Sequence, residues 1–132
     1  MGGGEGTVFN RGSSMRIIEE GGHRFTEICV IDAPGAGNAC HEYMVVPVQG
    51  YAPEPFAMVH FQNGPVKEVG VNGCHQEDLL LIVADRLKSF QAGSFACEDN
   101  AEALGHIRAA LLCLGRRTKA RQERRVEGRS VV

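Results

Sequence analysis

Gln76-Glu77-Asp78-Leu79-Leu80-Leu81-Ile82-Val83-Ala84-Asp85-Arg86-Leu87-Lys88-Ser89-Phe90 is the stretch on which the fold turns. Leu79, Leu80, Ile82, Val83, Leu87 and Phe90 recur with a period near 3.6 and share one broad helical face. Glu77 and Asp78 lie in the first turn, where negative charge is favoured. The spacing predicts a helix over 76–90. After a loop at 91–98, Asp99 is placed to cap a second helix, and Glu102 three residues on completes a capping-box-like pair. Leu104, Ile107, Leu111 and Leu114 then recur at intervals of three, four and three, the stripe of a helix that packs on another. Two helices joined by a short loop make an antiparallel hairpin.

Upstream of Asn72-Gly73 the period is two. The segments 23–32, 41–48, 56–62 and 65–71 are rich in β-branched and aromatic residues, and turn clusters separate them at 33–38, 50–55 and Asn63-Gly64. They predict a small antiparallel sheet of four strands, with Pro47 at an edge or a bulge. The expected class is α+β: a flexible N-terminal arm at 1–22, which holds Gly2, Gly3, Gly4, Gly6 and Gly12, then a β region at 23–73 and a helical hairpin at 74–132. A lone hairpin leaves much apolar surface wet, so self-association is expected. Gly105 and Gly115 inside the second helix each cost about 0.8 to 1 kcal/mol relative to Ala. Close approach of a partner would account for them, and so would drift.

The chain of 132 residues is long enough for one ordinary core. No apolar run approaches the roughly 20 residues of a transmembrane helix, and no signal-peptide pattern opens the sequence, so a cytosolic protein is expected. Five cysteines at wide spacing, Cys29, Cys40, Cys74, Cys97 and Cys113, suggest buried thiols rather than a disulfide framework or zinc ribbon. Between 115 and 129, Arg116, Arg117, Lys119, Arg121, Arg124, Arg125 and Arg129 face only Glu123 and Glu127, a balance of +5 in a chain of net charge -2. A basic end on an acidic remainder implies a localised anionic partner and argues against general nucleic-acid binding.

Two constellations suggest chemistry. Arg117, Arg121 and Arg124 fall on one helical face over two turns, and their planar forks suit phosphate or pyrophosphate oxygens. The bland alternative is a solvated basic helix end. The loop between the helices carries Phe90 and Phe95, either of which offers a purine a stacking face, and Asn100 at the next helix start can read a base edge or a ribose. Here the alternative is that the rings cap the hairpin core. Cys40-His41 and Cys74-His75 lack convergent metal-ligand spacing, so no metal site is expected. Glu77, Asp78 and Glu102 make a weak case for a magnesium-dependent nucleotide hydrolase.

The segment from Gly64 to Gly128 resembles the C-terminal part of the phage Thoeris anti-defence sponges, whose hairpin is shared more distantly with anti-CBASS sponges. The likeness runs through Asn63-Gly64-Pro65-Val66-Lys67-Glu68-Val69-Gly70-Val71-Asn72-Gly73, Asp85-Arg86-Leu87-Lys88-Ser89-Phe90-Gln91-Ala92-Gly93, Phe95-Ala96-Cys97, Asn100-Ala101, Arg117-Thr118, Arg121 and Val126-Glu127-Gly128. It implies a non-enzymatic protein of the infected host's cytoplasm, without a cofactor, that dimerises or forms hexamers and sequesters a cyclic ADP-ribose isomer. It leaves open whether cyclic di- or trinucleotides bind too. Carried over by motif, Phe90 stacks on adenine, Asn100 hydrogen-bonds the ligand, and Arg117 and Arg121 hold its pyrophosphate. The chain departs from the family pattern at Ser94, where Pro is expected, and at Glu98, where Arg is expected. Those departures bear on ligand preference or loop shape.

Overall fold

The computed structural model describes residues 16–19, 25–48 and 54–124. The chain divides into two compact units, Met1–Asn63 and Gly64–Val132.

In the first unit β1 (Arg16–Ile18), β2 (Thr26–Val30), β3 (Glu42–Pro47) and β4 (Ala57–His60) form one antiparallel sheet in the order β1-β2-β3-β4. Cys29 lies directly opposite Met44, and Val46 is two residues on, so the period of two puts all three on one face. They are buried there with Ile31 packed against them. The opposite face carries Tyr43, whose ring meets Phe61 edge-on at 5.6 Å. The connection after β2 is closed by Asp32: its carboxylate accepts the backbone N–H of His41 at 3.0 Å and of Glu42 at 3.1 Å, and its carbonyl accepts the Cys40 thiol at 3.2 Å. Cys40 and His41 thus close a loop.

Pro47 ends an interior strand rather than lying on an edge or in a bulge. The odd-numbered residues of β3 turn their backbone groups toward β4, as the Phe56 N–H bonded to the Val45 carbonyl at 2.8 Å shows. Because β4 begins at Ala57, opposite Val45, the N–H that Pro47 lacks costs no ladder bond.

The strand expected at 65–71 is instead a single helical turn, α1 (Val66–Val69). Pro65 enters it at φ -69°, and its carbonyl accepts the N–H groups of Glu68 and Val69, both at 2.9 Å. Gly70 at φ +81° then ends it. The β-branched residues that suggested a strand are overruled by a proline and a glycine whose backbone angles close a helical turn. The fourth strand is β1, inside the stretch expected as an arm. Residues 1–15 and 20–22 of that stretch lie outside the described residues, as do 23–24 of the first expected strand, 50–53 of the expected turn cluster, and Arg125 and Arg129 of the basic end.

The second unit is built on α2 (Gln76–Gln91) and α3 (Glu98–Glu123), joined by six residues into an antiparallel hairpin. Glu77 and Asp78 occupy the first turn of α2 as expected, and Asp78 accepts the His75 N–H at 2.9 Å. The buried face of α2 is narrower than its composition suggests. Ala84 is buried and Leu79, Leu80, Leu87 and Phe90 are half-buried, whereas Ile82 is 58% exposed and Val83 43% exposed. One partner helix can cover only a limited arc of another, so Ile82 and Val83 fall outside it. The stripe Leu104, Ile107, Leu111 and Leu114 of α3 is buried or half-buried throughout. At about 1.5 Å per residue, α3 is about 39 Å long against about 24 Å for α2, so its last ten or so residues extend past the start of α2. No described helix is long and apolar enough to cross a membrane.

Candidate ligand-binding site

The hairpin turn organises around residues that sequence patterning did not single out. Helix α3 starts one residue before the expected cap: Cys97, not Asp99, is the N-cap, extended at φ -160°, and its sulfur accepts the Asn100 N–H at 3.4 Å. The Cys97 N–H is held in turn by the Gln91 side-chain carbonyl at 3.0 Å. Glu98 and Asp99 therefore fall within the first turn, beside the positive end of the helix dipole. The expectation of five buried thiols fails on the same ground. Cys29 and Cys40 are buried, Cys74 is half-buried, and Cys97 and Cys113 are exposed, the first acting as a cap and the second accepting a hydrogen bond from Arg116 at 3.3 Å.

Phe90, at the end of α2, is half-buried, and Phe95 in the loop is 71% exposed. Their rings lie 6.1 Å apart at a tilt of 53°. Arg86, one turn before Phe90, carries its guanidinium carbon over the Phe90 ring, 5.4 Å from the centroid. The Asn100 side-chain N–H donates to the Phe95 carbonyl at 3.3 Å, which ties the amide to the loop and leaves its oxygen as an acceptor. Phe90, Phe95, Asn100 and Arg86 therefore share one end of the hairpin. The i, i+4 spacing of Arg86 and Phe90 was the available signal for the residue that sequence reasoning passed over.

The arginines lie at the other end. Arg117 is exposed, Arg121 is half-buried, and Arg124 is the exposed C-cap of α3. Arg121 lies on the line of the stripe, reached through Leu114 and Thr118 at the same intervals of four and three. Between Asn100 and Arg117 the helix rises about 25 Å, more than two helix diameters. One chain therefore does not bring Phe90 and Asn100 together with Arg117, Arg121 and Arg124.

The carboxylates are also dispersed. Asp78 is committed to the start of α2, and Glu102 lies 3.5 Å from His106 on α3. In an antiparallel hairpin Glu102 lies about level with Leu87, some nine residues or about 14 Å along the axis from Asp78. Carboxylates sharing a divalent cation bind it at about 2.0 to 2.6 Å. Among the described residues no group of three His, Cys, Asp or Glu is assembled to hold a metal ion.

Residues 56–119 match the family model described as Acb2/Tad1, hairpin domain. The chain is also 47% identical over 72 residues to Thoeris anti-defense 1 of Bacillus phage SBSphiJ7, an overlap of 54% of this chain and 51% of that protein. The hairpin of this chain is therefore similar to the Acb2/Tad1 hairpin domain. The chain spans about half the length of the relative it matches. The Acb2/Tad1 hairpin as matched takes in β4, α1, α2 and most of α3, so Phe90, Asn100 and Arg117 lie inside it and Arg121 and Arg124 just beyond.

Proposed function

We propose that this protein counters a bacterial defence by binding and sequestering a cyclic ADP-ribose-type signal, without cleaving it, in the host cytoplasm. The observation that carries the reading is the 47% identity over 72 residues to a phage Thoeris anti-defence protein. A sponge needs complementarity to an intact ligand. An aromatic platform, an amide acceptor and a row of guanidinium groups suit that, and among the described residues Asp78 and Glu102 lie about 14 Å apart along the hairpin axis.

The gap of about 25 Å between the two halves of the site supports a binding unit built from more than one copy. Leu112 is 67% exposed and lies seven residues from Gly105 on the outer face of α3, and a Cβ built on Gly105 meets nothing within 4 Å. That face is open to a second copy, and a site shared between copies takes Phe90 and Asn100 from one and Arg117, Arg121 and Arg124 from another. Hexamers, and cyclic di- or trinucleotides as further ligands, are consistent with the likeness to anti-CBASS sponges.

The test is to incubate purified protein with cyclic ADP-ribose isomers, remove unbound nucleotide, denature the protein and analyse what is released. Intact ligand at one per chain supports sequestration. Cleaved nucleotide, or no retained nucleotide from any isomer, overturns it.

A further inference from the structure

We infer that Arg86 is a third element of the nucleotide platform, a cation held over the Phe90 ring to meet a phosphate oxygen of a ligand bound there. This rests on the sequestration reading and extends it to a residue outside the set named from the sequence. An arginine on a helix surface ordinarily samples many rotamers, and ordering it on binding is costly. Arg86 is exposed, yet its guanidinium lies over the Phe90 ring at 5.4 Å, within the range where the negative face of an aromatic ring attracts a cation. The i, i+4 geometry of α2 makes the contact local, so it forms without help from any other element.

Two consequences follow for a ligand at Phe90. The platform is not neutral: whatever aromatic base stacks there comes within one side chain's reach of five N–H donors in a planar fork. The class of ligand favoured is accordingly an aromatic base joined to an anionic group, with a bare nucleoside disfavoured. The guanidinium also sits at the Phe90 and Asn100 end, about 25 Å along α3 from the chain's own Arg117, so it adds positive charge where the other arginines of the same copy do not reach. An oligonucleotide backbone is a poor fit, because Asp85 precedes Arg86, and Glu98 and Asp99 open α3 at the same end of the hairpin.

The experiment compares wild-type protein with Arg86→Ala, Arg86→Lys and Phe90→Ala, by calorimetry against cyclic ADP-ribose at 50 and 200 mM salt, with melting temperatures recorded for each. Arg86→Ala is expected to weaken binding roughly 10- to 100-fold, in the range of one lost charge-assisted hydrogen bond, and to flatten its salt dependence. Arg86→Lys is expected to restore the salt dependence and part of the affinity. A residue that only steadies the Phe90 ring would not change the salt dependence. Arg86→Ala matching wild type in affinity and salt dependence, while Phe90→Ala loses binding, overturns the role of Arg86 and leaves sequestration standing. A wild-type chain that binds no isomer overturns both.

Discussion

Mixing two binding-deficient variants distinguishes a site within one chain from a site between copies. Phe90→Ala removes the platform at the hairpin turn, and Arg117→Ala removes the first guanidinium at the far end of α3, about 25 Å away along the helix. Losing one charge-assisted hydrogen bond costs about 1.5 to 3 kcal/mol, and losing a stacked base about 1 to 3 kcal/mol, so each variant alone binds cyclic ADP-ribose about tenfold to a hundredfold more weakly. If each site takes Phe90 from one copy and Arg117 from the other, a mixed dimer contains one intact site and one lacking both groups. Random exchange makes about half of all dimers mixed, so about a quarter of the wild-type sites return at wild-type affinity. The assay is calorimetry or native mass spectrometry after denaturing and refolding the variants together at equal concentration. Separately refolded variants combined just before measurement serve as the control. No recovery of tight sites after co-refolding, with mixed dimers confirmed by mass, would refute the composite site.

Three further outcomes are expected. Leu112→Asp puts a charge on the outer face of α3, where the residue is already solvent-exposed within one chain, so it should shift the protein toward monomer in light scattering without a large change in helical content. For Phe90, calorimetry and melting on the same samples separate two roles. Phe90→Tyr keeps a π face and should retain part of the ligand affinity, Phe90→Ala should not, and a ring that only fills the core would instead show up as a melting loss of about 3 to 5 kcal/mol with affinity intact. Gly70→Ala, at φ +81°, should destabilise the protein by about 1 to 2 kcal/mol in chemical denaturation while leaving the affinity of the folded protein unchanged, because the strain is local to the end of α1.

The parts of the candidate site open to sequence reading are those set by local spacing. The coincidence of an aromatic, an amide and paired arginines followed from sequence and family likeness, and the structure describes Phe90, Asn100, Arg117, Arg121 and Arg124 at the hairpin's two ends. Arg86 was passed over because a cation above a ring is a side-chain contact, and the pattern of apolar residues carries no mark of it. Cys97 was passed over because cysteine ranks low as a cap. It serves here because Gln91 fixes its backbone extended.

Periodicity by itself determined that a sheet precedes two helices, because side-chain alternation and the 3.6-residue stripe are properties of each segment alone. It also determined that the second helix reaches its basic end without a break, since no proline interrupts 98–123. Only the tertiary structure decided that Val66–Val69 turns as a helix, that Arg16–Ile18 supplies the fourth strand, and that Ile82 and Val83 face solvent. The last two depend on what lies across from the segment, whereas the turn depends on the backbone angles that Pro65 and Gly70 adopt. The pairing of β1 with β2 and the arc of α2 covered by α3 are set by other segments of the chain, and the distance between the turn and the arginines becomes a length once both lie on one continuous helix.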